Sequence, residues 1–448
     1  MTPSTQQPPQ RHDWFDKWLS AGSINTTRLV EEGIARVEQH EEQTGARQRK
    51  RKAADEANHR AMVEAVVTNL ARQTLTPEAG SLAILMGKLR RPRTRYDHPA
   101  FGDTFAGIIS SLEAIGWLTF HPSPGMGEAS AITPTFHLSS KVHEAGISLG
   151  DFLRSAGETI ILSRKDKDGA SDAGFTRELV DYPDTSTSTA FRGQMEGLNA
   201  FLKEADLSFL DDGRGSVDTF RREQRRYFTC RDDDPATSLD RGGRIFGGWW
   251  TNLNKHRRGS IRIEDEPIAI LDYSSMFVRL AYAHLGLTPP DGDLYAIPGL
   301  IGHRRAAKLI VNCLMFDEHH RHRWPKVTAP DEIMPPGLTM PRVRAAILAH
   351  HPELGRCFGE GIGHQLMFTE STILIEVLQE LKARKVVGLG LHDGLITSRP
   401  KAYEVKTVME DVAQQITSAF IPVTVDTIPP ALPSVSLSPT PYMRAISP

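Results

Sequence analysis

Two aspartates, Asp272 and Asp393, each stand directly after a short apolar run, where a β-strand would end or turn. Asp272 follows Ile-Ala-Ile-Leu at 268–271, and Asp393 follows Val-Val-Gly-Leu-Gly-Leu-His at 386–392. On adjacent strands of one sheet, two such carboxylates could hold two divalent cations a few ångströms apart. One cation would lower the pKa of an attacking hydroxyl, and the other would neutralise a departing phosphate group. Taken singly, each aspartate could equally end a strand or cap the element after it. Between them runs Arg-Arg-Ala-Ala-Lys at 304–308. On a helix, Arg304 and Lys308 share one face about one turn apart, a pitch at which two cations can grip successive phosphates. Asn312 and Phe316 continue the stripe, and an aromatic at its end could stack on a base, worth about 1–3 kcal/mol in comparable contacts. Alone, this stretch also reads as an ordinary exposed helix start with Phe316 in a core. The order of acid, basic helix and acid is what joins the three.

The elements around these residues must come from a chain of 448 residues, long enough for two or three domains with a sizeable core. Hydrophobic residues make up 39% and charged residues 24%, as in folded globular proteins rather than disordered ones. The net charge of -2 does not advertise nucleic-acid binding, but the 53 Lys and Arg are unevenly placed. Cys230, Cys313 and Cys357 are far apart and fit neither a zinc spacing nor a disulfide framework, which points to a reducing compartment. No apolar stretch approaches the roughly 20 residues of a membrane span. The first residues are polar and Pro-rich, unlike a signal peptide, so a cytoplasmic protein is expected.

The texture along the chain suggests an α+β organisation in six parts. Residues 1–12 and 427–448 read as disordered tails, the latter rich in Pro and Ser. Residues 13–75 read as a charged helical region, with a basic block at 47–52 that is either a solvated face or a phosphate contact. In 76–140 the pattern predicts a helix over 82–89, a basic loop over 88–96, a helix from about Asp103 to 116, and strands at 117–120 and 131–138. That succession resembles a winged helix, a module that contacts DNA or other proteins. Residues 141–240 read as a helical, thumb-like or connecting region. Met195, Leu198, Phe201 and Leu202 there have helical spacing, and 219–229 reads as a short basic helix that either grips a duplex or faces solvent. Residues 241–426 hold the candidate site.

As a set, the motifs of this last part resemble the family A nucleic-acid polymerases, of the bacterial DNA polymerase I type. Leu-Asp-Tyr-Ser-Ser-Met-Phe-Val-Arg at 271–279 resembles motif A. Residues 304–316 resemble motif B on the helix of the fingers, and Leu-His-Asp-Gly-Leu-Ile at 391–396 resembles motif C. Residues 241–247, with Asn-Leu-Asn at 252–254, are similar to the Gly-Arg and Asn-Leu segment that precedes motif A. The resemblance implies a palm sheet with helical fingers, reduced because the stretch between motifs A and B is short. It implies two Mg²⁺ ions, with Mn²⁺ as an alternative, held by Asp272 and Asp393 with Tyr273 beside them. It implies Arg304 and Lys308 as triphosphate ligands, Phe316 against the nascent pair and Phe277 at the sugar. Arg244 and Asn252 would touch primer and template, and His392 would lie near the primer terminus. Phe277 stands in place of the family's glutamate, and a bulky ring there could still exclude a 2′-hydroxyl. Asn312 replaces an aromatic, Asp317 a glycine, and Gly394 an acidic or small residue. The resemblance spans roughly 240–420.

No set of strand-end acids upstream suggests a proofreading exonuclease, and the His-rich run at 317–323 reads as a solvated surface. The leading expectation is a compact DNA polymerase acting in replication of a mobile element, with primer–template DNA and nucleoside triphosphates as partners and no membrane. An RNA polymerase or primase on the same palm is a second expectation. A non-catalytic DNA-binding replication initiator with a degenerate palm is a third. Priming mode, template and oligomeric state stay open.

Overall fold

The computed structural model describes residues 13–428, other than 48, 78–79, 87–92, 124, 126–127, 155–156, 166–176, 232–237, 320–323, 326–331, 333–336 and 392. Strands β1 (Asp13–Trp14) and β2 (Leu19–Ala21) lead into two long helices, α1 (Ile24–Thr44) and α2 (Ala53–Leu75). Ser23 and Thr26 form a reciprocal capping box at the start of α1, and Gly45 ends that helix in the left-handed region. Next come β3 (Leu82–Ile84), α3 (Phe105–Ala114), β4 (Leu118–His121), β5 (Ser130–Pro134) and α4 (Phe136–Glu144). The first sheet has the order β1-β3-β5-β4. Its apolar face packs with α1, α2 and α3 around Val37, Val67, Leu112 and Trp117.

Strand β6 (Phe152–Arg154) pairs with β2. It is followed by β7 (Ile160–Lys165), β8 (Arg177–Leu179), α5 (Ser186–Glu204), β9 (Leu207–Phe209), β10 (Gln224–Cys230) and β11 (Gly242–Gly247). A second sheet has the order β11-β10-β7-β8.

The remainder runs β12 (Ile261–Ile263), β13 (Glu266–Tyr273), α6 (Met276–His284), α7 (Arg304–Phe316), α8 (Met340–His350) and α9 (Gly363–Ala383). It ends with β14 (Gly388–Leu391), β15 (Gly394–Ser398), α10 (Ala402–Thr417) and β16 (Val423–Thr427). The third sheet has the order β14-β15-β13-β12-β9, and β16 lies on the other edge of β13. The largest apolar core joins this sheet to helices α6 to α10. Helices and largely antiparallel sheets in one chain are compatible with an α+β class.

Several local expectations are corrected. The helix expected over 82–89 is replaced at its start by strand β3, which pairs with β1 and β5. Three apolar residues carry too short a period to separate strand from helix. The second hairpin strand stops at Pro134 rather than running to 138, because Thr135 accepts a hydrogen bond from the Leu138 amide and starts α4. The short basic helix expected over 219–229 is strand β10, in which Gln224, Arg226, Phe228 and Cys230 all point inward. A buried glutamine and arginine disguise the two-residue alternation. Residues 141–240 hold five strands, β6 to β10, besides α5, so the region is mixed rather than helical. The 1–12 tail lies outside the described residues, and so does nearly all of 427–448, although β16 extends to Thr427.

Of the succession that suggested a winged helix, the second helix and the hairpin are present as α3 and β4–β5, and β3 stands at the start of the first. Helix α3 buries Phe105, Ile108, Ile109 and Leu112 and contains no Lys or Arg, so it offers a phosphate no cation. In the 47–52 block, Arg47 pairs with Glu42 at 2.5 Å and Arg51 with Glu41 at 2.6 Å, which turns both cations back onto the protein. Among the described residues, no helix is long and apolar enough to cross a membrane.

Candidate active site

Strand β13 lies between β15 and β16, and its register sets Asp272 opposite Gly394. The β14–β15 hairpin closes with Leu391 paired to Gly394, so Asp393 occupies the turn beside that pair. The two aspartates, 121 positions apart in sequence, are therefore neighbours across one backbone pair. The absence of a side chain at 394 permits this closeness. A Cβ there would lie 2.3 Å from the Leu271 carbonyl oxygen and 3.2 Å from Asp272 Oδ1. Glycine at 394 thus has a steric cause in this chain.

The Asp272 carboxylate reaches water, yet protein crowds it on enough sides to matter. Burial first, and then the Asp393 charge, push its pKa up to about 6, while Lys308 and the Tyr273 amide pull it down. Two carboxylates in mutual repulsion form a donor pair that a divalent cation would neutralise. Mg²⁺ characteristically takes one or two carboxylates and completes its shell with water and substrate phosphate. Asp272 and Asp393 fit that donor set. Among the described residues no group of three or more His, Cys, Asp or Glu side chains converges as a metal cage. Tyr273 contributes no side chain here. Its buried phenol lies on the opposite face of the strand and donates to the Met409 carbonyl at 2.7 Å, so only its main chain lies near the acids.

Helix α7 carries the cations as its sequence spacing requires. Ala306, Ala307, Ile310, Val311 and Leu314 bury one face, which leaves Arg304 and Lys308 exposed. The two differ in circumstance. Lys308 acts electrostatically on Asp272. Arg304 is held by Asp293 through two hydrogen bonds of 2.6 and 3.0 Å and lies over the Tyr295 ring. At the far end of the stripe, Phe316 stacks on Phe277 with ring centroids 5.6 Å apart, and His364 meets Phe316 edge-on at 5.0 Å. Phe277 is only 6% exposed, with the Arg244 guanidinium 5.7 Å above its ring. The Asn312 Oδ1 is buried without a hydrogen-bond partner among the described residues.

Arg244 is committed within the protein. It forms a bidentate pair with Glu370, with Nε and Nη2 at 2.6 and 3.0 Å, while also sensing the charge of Asp393. Asn252 is not gathered with this group. It lines a separate cleft with Asp13, Arg72, Asp218 and Arg257. His392 lies outside the described residues.

Two residues were not anticipated from the sequence. Glu370 on α9 is fully enclosed, and its pKa is pushed up to about 7 by burial first and also by Asp393 and Asp272, against the pull of Arg244. A sequence signal existed, because Glu370 falls on the apolar stripe of Leu366, Ile373 and Leu374, where a lone acid implies a partner. Tyr295 is 1% exposed, with a hydroxyl that finds no partner among the described residues and lies within the influence of Asp393 and Glu370. It comes from the connection between α6 and α7, where no period marks it.

No protein-family model and no curated protein matches the chain. Among solved structures, the chain is similar to the POL domain of Pol1 from M. smegmatis in complex with DNA primer-template and dNTP. The identity is 11% and the TM-score 0.25, over 90% of this chain and 69% of that one. A likeness at that score carries no weight here; the side chains of the cleft do.

Proposed function

We propose that the chain is a template-directed nucleotidyltransferase, a compact DNA polymerase of family A type acting in the replication of a mobile element. The observation that supports this most is the meeting of Asp272 and Asp393 beside Lys308, three groups from distant parts of the chain with the charges such chemistry needs. Asp272 and Asp393 would hold two Mg²⁺ ions, which when bound lower the pKa of a primer 3′-hydroxyl and neutralise the departing pyrophosphate. Lys308 binds the triphosphate and draws it toward the aspartates. Arg304, on the same face, joins it by exchanging its Asp293 partner for phosphate oxygens. The Phe277–Phe316 stack forms an apolar floor that excludes water from the nascent pair. Arg244 is held ready by Glu370 at the primer side of that floor. The 3′-oxygen attacks the α-phosphorus in line, the bond to the pyrophosphate breaks, and the hydroxyl proton leaves to solvent.

The test is extension of a labelled primer on a template strand, with deoxynucleoside and ribonucleoside triphosphates supplied separately and with primer omitted in a parallel set. Primer-dependent extension with dNTPs supports the proposal. Synthesis from NTPs without primer supports the second reading, an RNA polymerase or primase. That reading is favoured by one feature, the Phe277 ring, which is packed away rather than standing free as a gate. No synthesis under any condition leaves a DNA-binding initiator. Within the leading reading, Lys308→Ala is expected to raise the KM for the nucleoside triphosphate by roughly tenfold or more, the cost of one charge-assisted phosphate contact. Arg304→Ala is expected to cost less, because Arg304 must first leave Asp293. Steady-state kinetics at saturating primer–template compares the two.

A further inference from the structure

Cross-strand pairs on β10 and β11 share a face, and on the outer face of this sheet the pairs are Arg225 with Phe246 and Tyr227 with Arg244. Phe246 is 43% exposed and meets Tyr227 edge-on at 5.3 Å. The two pairs lie side by side, arginine with phenylalanine and tyrosine with arginine, and Arg244 is the one that senses Asp393. Partners within a pair are roughly 5 Å apart and the two pairs roughly 7 Å apart along the strands, so the four side chains form one compact patch.

Arg225 decides what the patch is for. Its guanidinium is tucked against Trp18 and Gly157, and a Cβ at Gly157 would lie 3.3 Å from Arg225 Nη2. It makes no hydrogen bond or ion pair with any described residue. The Asp16 carboxylate near it is taken by Arg154, at 2.6 and 3.3 Å. Burial and the neighbouring Arg154 both disfavour the charge on Arg225. A half-buried cation beside a second cation, with no carboxylate in direct contact, leaves its remaining donors open to an anionic ligand.

We propose that this face is a track for one nucleic-acid strand leading to the aspartate pair, with Arg225 taking a backbone phosphate and Phe246 and Tyr227 stacking on bases. The pairing of aromatic and cationic side chains is the chemistry of sequence-tolerant strand binding. The inference rests on the polymerase reading, since Arg244 is the point at which the track enters the cleft.

The experiment measures binding rather than synthesis. A fluorescein-labelled duplex with a single-stranded overhang is titrated against the full chain by anisotropy over a series of salt concentrations. Arg225→Ala is expected to weaken binding roughly tenfold and to make the slope of log affinity against log salt shallower by about one. Arg225→Lys is expected to retain the slope. Phe246→Ala is expected to weaken binding roughly tenfold with the slope unchanged, since stacking releases no counterion. Because Phe246 is at the surface, that variant folds even if removal of Arg225 disturbs the sheet. Wild-type affinity and slope in Arg225→Ala, or wild-type affinity in Phe246→Ala, overturn the track. Primer extension alongside such a result would leave the polymerase reading intact. Binding that responds as expected, without any synthesis, would leave the track standing and remove the polymerase. A wild-type chain that binds no nucleic acid removes both.

Discussion

Asp272→Asn is expected to abolish primer extension, by at least about a thousandfold, and at the same time to raise the melting temperature of the metal-free protein. The two effects have one cause. Asp272 and Asp393 repel each other across the Asp272–Gly394 pair, and burial adds to the penalty on charge. Loss of a carboxylate that assembles two cations removes several kcal/mol of transition-state stabilisation, and about 4 kcal/mol corresponds to a thousandfold. The same loss relieves the repulsion, as is common where an active site is built at the expense of stability. The pH dependence follows the same sign. The pKa is raised from an unfolded value near 3.8 to about 6, so the folded chain binds the proton more tightly than the unfolded chain between those values. The metal-free wild type therefore gains stability from this group as pH falls through 6, and Asp272→Asn loses that dependence. Divalent-cation affinity runs the other way and weakens below pH 6, where protons compete for the pair. Thermal melts with and without Mg²⁺ at pH 5 and 8, together with an extension assay, check each part. Robust extension by the variant would remove Asp272 from the site.

The second large effect concerns Arg244 and Glu370. Arg244→Ala is expected to destabilise the fold by about 2–4 kcal/mol at pH 8, below the upper range for breaking a buried pair because Arg244 keeps part of its surface in water. The remaining Glu370 has no solvent and two other acids within its influence. Its pKa, pushed up to about 7 even with Arg244 present, can only rise when the cation is removed. Protonation then makes it a neutral buried acid, so the penalty shrinks as pH falls from the variant's raised pKa to about 7 and stays small below that. The isosteric Glu370→Gln change in the Arg244→Ala background is expected to recover much of the loss at pH 8 and little at pH 5. Urea denaturation of the single and double variants at both pH values measures this. An equal penalty at the two pH values would show that Arg244 acts through packing on Phe277 rather than through Glu370.

How much of this site could be read in advance depends on whether each residue declared itself locally. Asp272 and Asp393 did, since each follows an apolar run that ends as a strand. Helix α7 did as well, because its buried and exposed faces repeat with helical period, and its bounds coincide with the motif at 304–316. The partners of these residues did not. Asp293, which holds Arg304, lies in an aperiodic connection. Glu370, which holds Arg244, is 126 positions from it. Strand β10 was obscured by its own chemistry. Arg226 is 1% exposed, hydrogen-bonded to the Gly243 carbonyl and to the Ser371 and Thr372 hydroxyls, and caged by Phe191, Phe228 and Phe368. Burial pushes its pKa down to about 10, well below the usual arginine range. An arginine inside a sheet inverts the polarity pattern from which strands are recognised. The resemblance sets Tyr273 beside the metal, and the two-residue alternation of β13 sends its phenol to the opposite face.

Strand β13 has two of its three neighbours at the far end of the chain. It pairs with β15 at 394–398 and with β16 at 423–427, so the ladders that fix Asp272 join residues more than 120 positions apart. During synthesis the chain emerges from its N-terminus, and contacts of such separation form late. A nascent chain can complete the α1–α2 core and the sheet of β1, β3, β4 and β5 while the Asp272 end of β13 is still unpaired on both edges. Ribosome-bound chains that have not yet exposed residue 427 would therefore carry both aspartates without the frame that holds them in place. The centre is then the last part of the molecule to mature, and premature release at the C-terminal end would yield a protein with most of its mass folded and its chemistry missing.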